Sequence, residues 1–119
     1  MSKSNFETLE VYQLSEKLSD QIWFLVIEWD HFSKHSIGHQ MIRAADSIGA
    51  NIAEGTGRAT IQDNKRFVRI ARASLYETKH WLKRASKRKL LTHQQIHGLA
   101  PIINELAPRL NAYLNSIGR

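Results

Sequence analysis

The chain has no cysteine, and only two prolines and six glycines among its 119 residues. Without cysteine there is no disulfide and no thiolate metal site, which fits a reducing cytoplasm. Few prolines and glycines leave few obligatory breaks, so long regular elements are allowed. Long apolar runs are also missing. The longest, Ile22 to Ile27, is far shorter than the roughly 20 residues that a membrane helix requires. The opening stretch MSKSNFETLE lacks the apolar core of a secretion signal. The expectation is a cytoplasmic protein with no membrane partner. A hydrophobic fraction of 42% excludes wholesale disorder. The length suits a single domain spanning residues 1–119.

Acidic residues are scarce in one region. Residues 60–90 hold ten Lys and Arg against two acids, Asp63 and Glu77, whereas the rest of the chain holds seven against nine. The net charge of +6 therefore comes from one segment. A charge block of this kind suits an anionic partner, and it also suits a solvated basic face.

Apolar residues recur at three and four, the helical period, and nothing alternates as a strand does. Four segments follow, at about residues 6–29, 36–55, 61–88 and 93–116. In the first, Ser4 and Glu7 suit a capping box, and Val11, Leu14, Leu18, Ile22, Leu25 and Trp29 form one stripe. A second set, Leu9, Tyr12, Trp23 and Ile27, widened by Phe24, lies on roughly the opposite side and needs a partner, so it is the candidate oligomer contact. In the second segment Ile37, Met41, Ala45, Ile48 and Ile52 face the core. In the third, Thr60 with Asp63 caps the start, and Phe67, Ala71, Leu75, Thr78 and Leu82 face inward. In the fourth, Thr92 and Gln95 make a capping box, and Ile96, Leu99, Ile103, Leu106, Leu110, Tyr113 and Ile117 form the seam. Pro101 and Pro108 point away from that seam, as bends in a curved helix would; two shorter helices are the alternative. Short connections favour antiparallel neighbours. The predicted fold is all-α, an up-down-up-down four-helix bundle.

The stretch NIAEGTGR, residues 51–58, closes the second segment. Phosphate loops place glycines after a strand and before a helix. Here the glycines follow a helix, and Gly55 or Gly57 is expected to supply the left-handed residue that ends it. On a helical wheel Gln40, Arg43, Ser47, Asn51 and Glu54 form a polar strip beside the core face. With the second and third segments antiparallel, Arg43 and Glu77 lie at one height, which predicts an ion pair. Asn51 and Glu54 are expected to bond across helices or across a subunit boundary.

QMIRAADSIGANIAEGTGR at residues 40–58, followed by SLYE at 74–77, resembles the four-helix-bundle proteins first noticed inside intervening sequences of bacterial 23S ribosomal RNA genes. The matching positions include Arg43, Asn51, Glu54, Gly55, Gly57, Arg58 and Glu77. Gly49 and Thr56 depart from the usual proline and aromatic, and the usual Pro-x-x-Glu lead into the second helix is absent. The resemblance implies a closed bundle, a ring-shaped homo-oligomer that is commonly a pentamer, and no established enzymatic activity. Similar bundles serve as accessory subunits of reverse transcriptases, where a basic pentamer binds nucleic acid and the polymerase.

On the third segment, Lys65, Arg69, Arg72, Tyr76, Lys79, Lys83 and Lys87 fall within about 40° of one line. Like charges at these spacings repel, and a polyanion relieves the repulsion by releasing counterions. The stripe spans roughly 33 Å at helical rise, and Tyr76 adds one surface for base stacking. Three readings stay open: a nucleic-acid interface, a solvated face, and a contact with the acidic first helix of another subunit. His31, His35 and His39, like His93 and His97, have metal-compatible spacing, but no metal, cofactor or catalytic group is assigned.

Overall fold

A computed structural model describes residues 5–119. Four long helices dominate: α1 (Glu10–Val26), α2 (His39–Thr56), α3 (Ile61–Lys87) and α4 (His93–Ser116). A short 3₁₀ turn, Asn5–Thr8, precedes α1. A turn of α-helix, His31–Ser33, runs through a π-helical stretch, Lys34–Gly38, directly into α2. Among the described residues there is no strand.

The caps on α3 and α4 follow the sequence. Thr60 Oγ1 accepts from the Asp63 amide at 3.1 Å. Thr92 and Gln95 exchange both bonds of a capping box, at 3.0 and 3.1 Å. The first helix is shorter than its predicted range of 6–29. Ser4 lies outside the described residues, and α1 starts after Leu9, whose backbone is extended and whose side chain caps nothing. Its far end is set by Asp30, whose carboxylate accepts from the Ser33 amide at 3.1 Å and so starts the next helical run. A bond from the Ser33 hydroxyl, together with that amide, holds the Asp30 carboxyl below the usual carboxylate range. The expected break across residues 30–36 is thus mostly helical. α4 is one helix through Pro101 and Pro108, both of which are exposed.

Each long helix packs against two others, in the order α1, α2, α3, α4 and back to α1. Contacts advance along one helix as they recede along its neighbour, so α1 and α2 run antiparallel, as do α2 and α3. Across α1 and α2 the pairs are Ser19 with Asp46 and Ser15 with Gly49, and Val26 meets Gly38 just ahead of α2. Across α2 and α3 they are Arg43 with Glu77, Ser47 with Ser74, and Gly55 with Asn64.

The buried centre holds Leu18, Ile22, Met41, Ile48, Ile52, Val68, Leu106 and Leu110. Its phase differs slightly from the predicted stripes. On α1 the buried line is Val11, Ser15, Leu18, Ile22 and Val26, with Leu14, Leu25 and Trp29 half-buried beside it. Ser15 is admitted because its hydroxyl bonds the Tyr12 carbonyl at 2.7 Å and faces the bare Cα of Gly49. A second apolar cluster, Ile37, Ala85 and Leu91 with Trp29 and Trp81 against it, closes the end of the bundle where α3 turns into α4.

That turn is a Schellman motif. The Leu90 amide bonds the Ala85 carbonyl at 2.9 Å, and the Lys89 amide bonds the Ser86 carbonyl at 3.1 Å. The residue that glycine usually supplies there is Lys89, at φ 61°.

Candidate nucleic-acid interface

The inner face of α3 is Val68, Ala71, Ser74, Leu75, Thr78 and Ala85. The period of the helix then turns the cationic stripe outward. Arg69, Tyr76, Lys79, Lys83 and Lys87 are exposed, and Lys65 and Arg72 are half-buried. Arg72 leans toward α4 and donates from Nη1 to Asn111 Oδ1 at 3.2 Å. The Lys79 ammonium lies 5.6 Å from the Tyr76 ring centroid.

Local acids do not neutralise this stripe. α3 carries two, Asp63 and Glu77. Asp63 pairs with Arg66 at 3.2 Å, and Glu77 pairs with Arg43 of α2 and also accepts from Trp81 Nε1 at 2.9 Å. Both arginines lie off the stripe. Among the described residues no carboxylate pairs with Lys65, Arg69, Arg72, Lys79, Lys83 or Lys87.

The stripe has two settings. Near the α2–α3 loop, Lys65 and Arg69 border a polar recess with Thr60, Gln62, Asp63 and Arg66. Toward the α3–α4 turn, Lys79, Lys83, Lys87 and Lys89 border an open groove of about 890 Å³ between α3 and α4, floored by Leu82, Leu91, Ile96, Leu99 and Ile103. No sequence pattern announces that groove, since its width depends on how far apart two helices lie.

NIAEGTGR is a joint between helices. A Cβ on Gly55 would fall 2.5 Å from Asn64 Oδ1 and 3.1 Å from the Asn64 carbonyl, so only glycine lets α2 approach α3 there. Neither glycine is left-handed, contrary to expectation. Gly55 is inside α2, and Gly57 caps it at φ −87°. The chain instead leaves by tightened bonds, Gly57 N–H to the Glu54 carbonyl and Arg58 N–H to the Gly55 carbonyl, each 3.1 Å. The bonds across helices expected of Asn51 and Glu54 are not made either. Asn51 Nδ2 donates to the Ser47 carbonyl of its own helix at 2.7 Å, and Glu54 pairs with Arg58 one turn on at 3.0 Å. Within the chain, then, neither side chain reaches across to α3. The Arg58 guanidinium also covers one side of Phe67 at 4.5 Å, and Arg66 lies over the same ring at 4.5 Å.

The expected Arg43–Glu77 pair is present, and Gln40 Oε1 accepts from Arg43 at 3.1 Å. The Trp81 contact with Glu77 is an addition to that expectation, and the i, i+4 spacing carries it. Of the four candidate oligomer residues, Leu9 and Tyr12 pack on the core of their own chain, whereas Trp23 and Ile27 stand exposed beside Phe24 and Phe32. Burial, and then Glu16, push the Tyr12 hydroxyl pKa up. His35 Nδ1 lies 2.9 Å from the His31 carbonyl. Among the described residues no three metal-ligating side chains cluster, and no helix is long and apolar enough to cross a membrane.

The structure is similar to a crystal structure of a protein of unknown function from the S23 ribosomal protein family of Bacteroides thetaiotaomicron VPI-5482. The TM-score is 0.77 at 22% identity, over 89% of this chain and 99% of that one. No curated protein matches. The sequence profile of the 23S rRNA-intervening sequence proteins matches residues 7–112. The profile takes in the signature and almost all of the bundle, and the chain belongs to the 23S rRNA-intervening sequence protein family.

Proposed function

We propose that this protein is a non-enzymatic, self-assembling bundle that binds RNA or DNA through the α3 stripe with little sequence choice. The observation that supports this reading is the way α3 disposes of its acids. Asp63 and Glu77 are both held by arginines off the stripe, so among the described residues none of the six stripe cations has a carboxylate partner. Repulsion along such a line is relieved when phosphates replace a diffuse counterion cloud. Lysine and arginine at regular intervals supply affinity for a backbone and no base readout. Exposed Tyr76 adds a stacking surface for an unpaired base. In an oligomer, modest stripes on several copies would act together.

Gel shifts with single- and double-stranded RNA and DNA at several salt concentrations test the reading. The logarithm of affinity is expected to fall by about 0.7 to 0.9 per phosphate neutralised, against the logarithm of salt. Replacing Lys65, Arg69 and Arg72 together by Glu is expected to abolish binding with helicity retained. Unchanged affinity in that variant removes the nucleic-acid reading. A second reading, a scaffold that docks an acidic protein such as a reverse transcriptase, is favoured by the lysine-rimmed groove. Partner capture without any binding to bare nucleic acid would decide for it.

A further inference from the structure

The stripe on α3 is straight, and its groups are widely spaced for a nucleic-acid strand. From Lys65 through Arg69, Arg72 and Tyr76 to Lys79 the steps are 4, 3, 4 and 3 residues. At helical rise this puts a stripe residue about every 5 Å over roughly 21 Å. A strand of B-form duplex rises about 3.4 Å per phosphate and winds once in about 34 Å. Laid against a straight row, such a strand turns most of its phosphates away. To meet one cation after another the strand must be drawn out, and drawing it out parts its stacked bases.

One side chain in the row suits a parted base. α3 carries Phe67, Tyr76 and Trp81. Phe67 lies under the guanidinium groups of Arg58 and Arg66, each 4.5 Å from its ring centroid, and Trp81 donates to Glu77. Tyr76 is instead 61% exposed. Arg69 and Arg72 precede it along the row, and Lys79 follows, its ammonium 5.6 Å from the ring centroid. A ring with cations before and after it is a stacking platform set in an electropositive track, the combination that single-strand sites use.

The bundle around α3 works against a duplex. A major groove about 12 Å wide takes one helix with its side chains. α3 is packed between α2 and α4 in a body 26 × 25 Å across. The flanking helices therefore reach the phosphate ridges before α3 reaches the groove floor. Against a duplex Tyr76 would also find no open base face, because paired bases are already stacked on both sides.

We infer that the stretch from Lys65 to Lys79 binds single-stranded nucleic acid in preference to duplex, with phosphates on Lys65, Arg69, Arg72 and Lys79 and one base stacked on Tyr76. The inference rests on the nucleic-acid reading above, and adds the form of the strand. Asn111 gives Arg72 a fixed place in the row. It takes one N–H, from Nη1 at 3.2 Å, and leaves the other donors of the guanidinium to a phosphate. Phosphate and base face are common to RNA and DNA, so the preference holds for both sugars.

Fluorescence anisotropy of the full chain with labelled oligonucleotides provides the test. The probes are oligo(dT), oligo(U) and their duplexes with complementary strands, each about twelve nucleotides long, within the usual range of single-strand sites. All are compared at one salt concentration. Single strands are expected to bind at least about tenfold tighter than duplexes in both sugars. Tyr76→Ala, at an exposed position, is expected to weaken single-strand binding by roughly 5- to 150-fold and to leave duplex binding within about twofold. Tyr76→Phe is expected to keep the wild-type affinity. A strand of abasic deoxyribose phosphates is expected to bind wild type and Tyr76→Ala alike. Duplex bound as tightly as single strand, in either sugar, overturns the inference. So does a Tyr76→Ala variant that loses nothing, that loses both forms equally, or that loses the abasic strand. Each of those results leaves the nucleic-acid reading standing, because a polyanion is still bound by the wild type. Binding of neither form removes that reading as well.

Discussion

α3 meets its two neighbours in different ways. Against α2 the contact is close and built of small residues: Ala44, Ala71 and Gly55 are buried, and Ser47 Oγ donates to Ser74 Oγ at 2.6 Å. Against α4 a groove of about 890 Å³ lies toward the turn, and nearer the middle Arg72 and Asn111 bridge the two helices. The residues that mark the family, from Gln40 to Arg58 and at Glu77, sit on the close side. Their role in this chain is to let two helices approach and to satisfy the polar groups trapped between them. The open side carries the charge and the unfilled apolar surface. A signature of this kind reports on packing, and the surface available to a partner lies elsewhere on the same helix.

Substitutions at two glycines put this contrast under the greatest strain. Gly55→Val drives a branched side chain into the Asn64 backbone, and is expected to cost about 3 kcal/mol by urea unfolding. At Gly98 on α4 an added Cβ would meet nothing within 4 Å, so Gly98→Ala is expected to stabilise by up to about 1 kcal/mol through helix propensity. Equal effects at the two sites would mean that Gly55 does not set the approach of α2 to α3. A smaller effect is expected at the turn. Lys89→Gly relieves the left-handed strain and is expected to raise stability by about 0.5 kcal/mol in a thermal melt. The smallest effect concerns the Arg43–Glu77 pair, whose side chains are 52% and 36% exposed. A double-mutant cycle with Arg43→Ala and Glu77→Ala is expected to give less than about 1 kcal/mol of coupling, because solvent screens the pair. A larger value would make this strip a major support of the close side.

Much of this architecture was legible because helices announce themselves through spacing. The caps at Thr60 and Thr92, the outward prolines and the Arg43–Glu77 pair all follow from periodicity and antiparallel order. The failures share a physical origin. Ser15 reads as a surface residue until Gly49 opposite makes room for it. Gly57 reads as left-handed, because nothing local reveals that the chain will leave α2 by a tightened right-handed turn. The helical run at His31–Gly38 depends on one carboxylate, Asp30, capping a stretch whose spacing looks broken. The groove depends on the distance between two helices, which no single-helix pattern encodes. The direction of the stripe was therefore readable, and the difference between its two halves was not.

The prolines of α4 carry one more consequence. Having no amide hydrogen, Pro101 and Pro108 deprive the carbonyls of His97 and Asn104 of their usual donors. His97 and Asn104 are both exposed, so water can stand in for the missing donors. A dry, greasy contact over that back surface would strand both of them. The surface over the two prolines is thus kept wet by their own covalent chemistry.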